Sequence, residues 1–491
     1  MRIVIVGAGL VGTQLAQHLI QENHEVSILE ASEERVRHLS NRLDCLVIHD
    51  GGNNLRALEE AGIATADVLV CVTNSDEVNM IICGVAECKY PDLIKIARVR
   101  NDDYIRINYN SKNHKHPALN LPAERIMGID HFVNPDIEAA NAALHAIEHG
   151  ALGDVLEFTG TDYELFSIKI ALGSVLDGLA LKDYRSVVKE MSLVTLLERN
   201  GVSILPGGSV VLAAGDSVHI LAKESDHARI FQAVGSTGEK LRKIGIVGGS
   251  HIGQMIAEGL LQETGSKINN PLQEIAHRTK SFVSFIKGVI RKSNRSVTII
   301  ENDYNICKEL SSRFPGALVL NEDISDENFI SEERINDLDL IVAATGNQEL
   351  NIITSLYLKT RGVKRAIAFV QNDGYAAIAR KLGVDVVIPI KSVIVDTILS
   401  HLSGRLVRAI HRIGDGTIGI FEIEISAESV LVHKPITEFH LASGGLLMLA
   451  NRGGVSFIPK GDYIFNTGDH IVLIAKNGGE KEIEKYFNIS L

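Results

Sequence analysis

Gly7-Ala8-Gly9-Leu10-Val11-Gly12 follows directly on the apolar run Ile3-Val4-Ile5-Val6. It precedes a helical stretch, Thr13 to Gln21, in which Leu15, Ala16, Leu19 and Ile20 recur at helical spacing. Four apolar residues in a row predict a strand buried on both faces, as in a parallel sheet. A G-x-G-x-x-G run between such a strand and such a helix is the dinucleotide-binding fingerprint. Gly7 permits the tight turn, Gly9 lets the backbone approach a pyrophosphate, and Gly12 lets the helix sit close on the strand. The helix N-terminus offers its N–H groups to phosphate oxygens. Glu30 closes the next apolar run, Val26-Ser27-Ile28-Leu29, at about the 20-residue spacing of the ribose-binding acid. The competing reading is the same unit with an empty site.

The pattern occurs twice. Lys243-Ile244-Gly245-Ile246-Val247 leads into Gly248-Gly249-Ser250-His251-Ile252-Gly253, and Glu301 closes Val297-Thr298-Ile299-Ile300. Ser250 replaces the middle glycine, and its side chain crowds the backbone approach that Gly9 leaves open. Weaker binding, or none, is expected of the second copy.

After Glu30 the first copy alternates strand and helix, the pattern of a doubly wound parallel sheet. Two of its strands end in small or polar residues suited to a ligand edge, Cys45–Ile48 in Asp50-Gly51 and Val68–Val72 in Thr73-Asn74, and a further strand, Ile94–Arg100, carries Arg98. Arg98 is either a phosphate partner or a solvated arginine. A helix over 136–149 leads to a small β-rich domain, with strands expected at Leu165–Ile170, Leu193–Leu197, Gly208–Leu212 and Ser217–Leu221.

The whole arrangement then repeats. Thr345–Asn351 echoes Thr73–Asn79, Val387-Ile388-Pro389 echoes Val133-Asn134-Pro135, and Gly468–Lys476 echoes Gly215–Lys223. Phe369 stands where the first half has Arg98. The expected fold is α/β: two tandem Rossmann-like doubly wound domains, each followed by a small β-rich α+β domain. Expected boundaries are 1–135, 136–235, 243–400 and 401–491. A segment without counterpart, 265–295, carries Lys267, Arg278, Lys280, Lys287, Arg291, Lys292 and Arg295 against the single acid Glu274. It reads first as a solvated helical insertion. The other reading is a basic amphipathic helix resting on an anionic membrane or a partner.

With 491 residues the length suits about three or four domains. A net charge of -12 argues against bulk attraction to nucleic acid. No apolar run reaches the roughly 20 residues needed to span a bilayer, and the start carries no signal-peptide pattern. Cys45, Cys71, Cys83, Cys88 and Cys307 lack metal-ligand spacing and are expected as reduced core cysteines of a cytosolic chain.

Four stretches carry a resemblance to a known family. They are Val6–Gly12, Val72-Thr73-Asn74-Ser75-Asp76-Glu77-Val78-Asn79, Ile96-Ala97-Arg98-Val99-Arg100, and the repeated Gly-Asp turn before each final strand. Over essentially its full length the chain resembles the TrkA family, the nucleotide-binding regulatory subunits of Trk-type potassium uptake systems, built from two tandem regulator-of-conductance (RCK) units. It departs from the family in the 265–295 insertion, and in Asp50-Gly51 where many relatives have Gly-Asp or Gly-Asn. Glu322-Asp323 keeps the usual acid in the second half.

The resemblance implies binding of NAD(H) and of ATP or ADP. The residues implied are Gly7, Ala8, Gly9, Leu10, Val11, Gly12, Glu30, Asp50, Gly51, Thr73, Asn74 and Arg98. In the second half they are Gly248, Gly249, Ser250, His251, Ile252, Gly253, Glu301, Asp323 and Thr345. It implies a non-enzymatic, cytoplasmic protein, peripheral to the inner face of the membrane. Such a protein forms a homo-oligomeric ring, dimer or tetramer, beneath a potassium-translocating subunit of the TrkH/TrkG type. Two other readings stay open, an NAD-dependent oxidoreductase and the soluble part of another ion transporter. Against the enzyme, the segments between the fingerprints are small and β-rich. His24, His38 and His114 fall in polar stretches rather than over a nicotinamide site.

Overall fold

A computed structural model describes the chain except residues 22–23, 102, 105–125, 149, 152–154, 159, 189–191, 200–201, 236–240, 262–294, 325–326, 403–406, 414–416, 477 and 490–491. The basic insertion and its expected helical faces therefore lie outside the described residues, save Arg295.

The first Rossmann sheet comprises β1 (Arg2–Val6), β2 (Glu25–Glu30), β3 (Leu46–His49), β4 (Val68–Cys71), β5 (Ile94–Arg98) and β6 (His131–Val133), ordered β3-β2-β1-β4-β5-β6. All its pairings are parallel. The strand order reverses between β1 and β4, which creates the crevice where such sheets take ligands. The second sheet repeats this: β12 (Lys243–Val247), β13 (Ser296–Glu301), β14 (Leu318–Asn321), β15 (Leu340–Ala343), β16 (Arg365–Val370) and β17 (Val386–Pro389), ordered β14-β13-β12-β15-β16-β17. The central strands are continuous apolar runs because helices cover both faces. Every residue of β4 and of β15 is buried.

One compact unit gathers both Rossmann domains (Met1–Leu144 and Leu241–His401), and another gathers both small domains (His145–Lys240 and Leu402–Leu491). In the first unit, the helix Pro135–Glu148 reaches the second glycine loop through Asp136, 3.3 Å from His251. The matching helix Ile390–Leu402 reaches the helix behind the first glycine loop through Ser392, 3.3 Å from Gln14. His131 stacks on His401 with ring centroids 4.1 Å apart.

Two titrating groups on these helices oppose each other. Burial, with His131 alongside, brings His401 down to about 4. Burial pushes Glu138 up to about 7, tempered by a hydrogen bond from Thr397. Below pH ~6.5 an unfolded chain protonates His401 while the folded one resists, so that contribution to stability is lost as pH falls towards 4. Glu138 acts in the other sense, its contribution being lost as pH rises from ~4.5 through 7. The two offset between pH ~4.5 and ~6.5. Glu138→Gln should therefore lose stability as pH falls across this window, and His401→Gln as pH rises. Each slope should span on the order of 2 kcal/mol after allowance for solvent screening. Urea unfolding at three pH values measures both.

In the second unit the sheets are antiparallel. The first holds β7 (Val155–Glu157), β8 (Tyr163–Lys169), β9 (Leu193–Arg199), β10 (Val202–Ile204) and β11 (Ser217–Lys223), ordered β10-β9-β11-β8-β7. The second holds β18 (Val407–Ile413), β19 (Ile418–Glu424), β20 (Gly445–Arg452), β21 (Val455–Phe457) and β22 (His470–Lys476), ordered β18-β19-β22-β20-β21. One apolar cluster joins them: Leu165, Leu196 and Leu221 pack with Ile420, Met448, Val472 and Ile474. The expected strand at Gly208–Leu212 does not join the sheet. After a turn closed by Val210 N–H on the Gly207 carbonyl, its hydrogen bonds go to 178–182, with a single bridge at Ala180–Val211. The repeated Gly-Asp turn is structural. Gly215 and Gly468 adopt φ of +89° and +83°, and the following aspartate accepts from an arginine on a neighbouring strand, Arg199 or Arg452. All five cysteines are free thiols, but Cys45 is half-buried and Cys88 exposed, so these two are not core residues as expected.

Candidate nucleotide site

The first glycine loop closes on its own backbone. Gly7 has φ +100°, and a Cβ there would lie 2.8 Å from the Thr73 nitrogen. A Cβ at Gly12 would lie 1.9 Å from the Gly7 carbonyl oxygen, which forces glycine where the helix Leu10–Gln21 meets the strand. At Gly9 a Cβ would meet nothing within 4 Å, so the space above that backbone is open. Ala8 and Val11 are buried, whereas Leu10 is 62% exposed at the mouth.

Glu30, at the end of β2, is buried and holds the loop in place. Its carboxylate accepts from Ala8 N–H at 2.7 Å and from Ser32 N–H at 2.9 Å. A carboxylate offers about four acceptor positions, which leaves capacity for ribose hydroxyls. Asp50 closes the turn after β3 by accepting from Gly52 N–H at 2.8 Å and from Asn54, with Gly51 between them.

The third side is built around Asn79, a fully buried residue that stands in the sequence as the end of the Val72–Asn79 stretch and of its repeat, with no site role expected of it. It accepts from Thr73 N–H (2.9 Å) and Thr73 Oγ1 (2.7 Å), and donates to the Arg98 carbonyl (2.8 Å). One buried amide thus ties the loop after β4 to the end of β5. Arg98 turns back over this loop and donates from Nη1 to the Thr73 carbonyl at 2.9 Å, with Asn74 Oδ1 at 3.5 Å. Its Nε is buried and has no acceptor among the described residues. Burial and neighbouring Arg100 lower the guanidinium's hold on its proton, with Asp76 and Asp136 acting the other way. A half-buried guanidinium with an unmet donor, beside a glycine loop, suits phosphate oxygens.

The second site has the same frame and different chemistry. Glu301 accepts from Gly249 N–H at 2.6 Å, and Thr345 N–H donates to Asn351 at 2.9 Å, as in the first half. Asn351 then donates to the carbonyl of Phe369, a buried ring with nothing to offer a phosphate. Gly248 and Gly253 repeat the close approaches of Gly7 and Gly12. Ser250 Oγ donates to the Ala344 carbonyl and accepts from Gly253 N–H, so the serine caps the helix end with its own oxygen. Ile252 is buried, Asp323 is exposed, and His251 is paired with Asp136. Burial alone would raise the Asp136 carboxyl. The hydrogen bond to His251, with Arg100 and Arg98 nearby, brings it below its usual value.

The TrkA-N domain model matches residues 3–115 and 284–390, and the TrkA-C domain model matches 420–488. The chain belongs to the TrkA family. The Trk system potassium uptake protein TrkA of Halomonas elongata is 28% identical over 100% of this chain and 99% of its own. A TrkA homolog from Archaeoglobus fulgidus is 29% identical over 99% and 100%. Among solved structures, the GsuK channel bound to NAD shares the fold at TM-score 0.52 and 15% identity, covering 99% of this chain and 79% of that one. The GsuK RCK domain matches at TM-score 0.52 and 15% identity, with 99% and 95% covered. TrkA relatives therefore align from end to end, including both fingerprints and both small domains. Among the described residues no helix is long and apolar enough to cross a membrane.

Proposed function

We propose that this chain is the nucleotide-sensing regulatory subunit of a Trk-type potassium uptake system. It works in the cytoplasm against the inner face of the membrane. Its first glycine loop, Glu30, the Asp50-Gly51 and Thr73-Asn74 turns and Arg98 hold NAD(H), ATP or ADP. The carrying observation is Arg98, whose buried Nε lacks an acceptor among the described residues, together with the open space above Gly9. Chains assemble into a ring on a membrane-embedded potassium-translocating subunit of the TrkH/TrkG type. The identity of the bound nucleotide shifts the ring between two states. A ligand does this only through unequal affinity for the two states. A dinucleotide and a triphosphate differ in charge and reach, which supplies such inequality. The second loop, with Ser250 capping its helix and Phe369 in place of arginine, binds more weakly. The relatives named above are uptake-system proteins rather than catalysts.

Native mass spectrometry of the purified chain tests the reading. A co-purifying adenine nucleotide or dinucleotide is expected, and its loss in Arg98→Ala. A chain that ignores every adenine compound offered, or that turns over NADH with common oxidants, sinks the proposal.

A further inference from the structure

Cys83 Sγ lies 3.7 Å from Cys71 Sγ in the core of the first Rossmann domain, and both thiols are free and fully buried. Cys71 is the last residue of β4, and Cys83 stands on the helix that follows, Asp76–Glu87. The same strand end and the same helix carry the tie between Thr73 and Asn79. Thr73 comes two residues after Cys71. Asn79 comes one turn before Cys83, on the same face of the helix. Two buried thiols can serve simply as small apolar side chains among Leu69, Met80, Ala86 and Ala97.

The second Rossmann domain keeps the tie and drops the thiols. Thr345 and Asn351 repeat Thr73 and Asn79, which places Ala343 where Cys71 stands and Ser355 where Cys83 stands. Ser355 is fully buried, and its hydroxyl has no hydrogen-bond partner among the described residues. A core that takes alanine and serine at these places does not need cysteine for packing. The thiol pair thus stands in the half whose loop is open at Gly9 and whose rim holds Arg98.

A disulfide holds its sulfurs at about 2.05 Å, so closing this one draws them together by roughly 1.6 Å. Asn79 makes its bonds to Thr73 and to the Arg98 carbonyl at 2.7 to 2.9 Å. Such bonds are lost when a partner moves by much more than ~0.5 Å. Burial, with Cys83 alongside, pushes the Cys71 thiol well up, so little thiolate is present while the helix is packed. Oxidation therefore waits on local opening of that helix.

We propose that Cys71 and Cys83 are a thiol–disulfide pair whose oxidation by a hydroperoxide loosens the Thr73–Asn79 tie and with it the first nucleotide site; the effect on ligand rests on the nucleotide-site reading above. One thiol gives up its proton as the helix opens, and its sulfur attacks a peroxide oxygen. The O–O bond breaks, hydroxide leaves and takes up that proton, and a sulfenic acid forms. The second sulfur then attacks the sulfenic sulfur. The S–S bond forms, and the sulfenic oxygen leaves as water with the second thiol's proton. Two electrons pass to the peroxide, which ends as two waters. A dithiol reductant restores both thiols by exchange.

Hydrogen peroxide applied to the full-length chain tests this. Cleavage after Arg56 and Lys89 leaves Cys71, Cys83 and Cys88 on one peptide. That peptide should lose two hydrogens, with fragmentation placing the bond between Cys71 and Cys83, while exposed Cys88 gauges the dose. Amide exchange at Thr73 should quicken about tenfold, and calorimetric affinity for ADP or NAD should fall about tenfold. Dithiothreitol should reverse both. C71A and C83S, which follow the second half at the matching places, should keep parental exchange and affinity after peroxide. Oxidised Cys88 beside intact Cys71 and Cys83 thiols overturns the proposal. So does a Cys71–Cys83 bond that leaves Thr73 exchange and ligand affinity unchanged. A parent chain that binds neither ADP nor NAD removes the nucleotide reading alone, and exchange at Thr73 then decides whether the pair loosens the tie.

Discussion

Gly9→Asp should abolish nucleotide binding while leaving the fold intact. A Cβ at Gly9 meets no atom within 4 Å, so the aspartate enters open space and its carboxylate stands where phosphates approach the loop. Like-charge repulsion together with lost backbone approach should weaken binding by at least about 100-fold, or roughly 2.7 kcal/mol. The melting temperature should move by no more than about 2 °C, because exposed substitutions that break no contact rarely exceed about 0.5 kcal/mol. Gly12→Ala is the contrasting variant. Its Cβ would fall 1.9 Å from the Gly7 carbonyl oxygen, so the helix must leave the strand and the domain should lose stability. Calorimetry paired with thermal melts separates the two. If Gly9→Asp folded and still bound ATP or NADH at parental affinity, the nucleotide would have to sit elsewhere.

Asp469→Ala should destabilise the small domains by about 3 to 5 kcal/mol. The side chain is almost wholly buried and accepts from Arg452 Nε (2.7 Å), Arg452 Nη2 (2.6 Å), Tyr463 Oη (2.6 Å) and Asn466 N–H (3.0 Å). Removing it leaves all four donors without a charged acceptor. Asp216 is its counterpart, bonded to Arg199 at 2.8 and 2.6 Å and to Ala213 N–H at 2.8 Å, and among the described residues no tyrosine is bonded to it. Asp216→Ala should therefore cost less, by about 1 kcal/mol, the usual worth of one hydrogen bond. Burial opposes ionisation of Asp469, but Arg452, Tyr463 and the Asn466 amide outweigh it and hold the carboxyl below its usual value. The folded value lies under the unfolded one, so this stability is present near neutrality and is lost as pH falls through the folded value. Denaturant titrations of both variants, repeated in acid, give the order and the sign. Equal losses at the two sites would show that the Tyr463 bond contributes nothing.

Much of this was legible in the residues because short-range rules decide it. Apolar runs and glycine spacing located β1 and β12, and the steric demands on Gly7 and Gly12 proved as strict as the fingerprint implies. Arg98 was flagged either as a phosphate partner or as a solvated arginine, and its Nε proves to be buried rather than solvated. Other features depend on contacts between distant segments, which local pattern does not encode. Asn79 and Asn351 stood in the sequence as members of a motif and its repeat with no role attached, and that role appears once β4 and β5, or β15 and β16, lie side by side. Gly208–Leu212 had strand-like residues, but its nearest edge was the 178–182 segment, and that local pairing won over the sheet.

The apolar face shared by the two small sheets has a consequence for how the halves can differ. In a pair of identical chains related by a twofold axis, a substitution at the mutual surface confronts its own mirror image. Here Leu165 and Leu196 meet Ile420 and Met448, separate letters of a single gene, so each side is free to drift without its twin following. Covalent fusion also keeps the partners at high local concentration, and a lopsided couple is not lost to dilution. Such a tether allows one glycine loop to keep an open backbone at Gly9 while the other is capped by Ser250, an inequality that self-paired subunits are barred from holding.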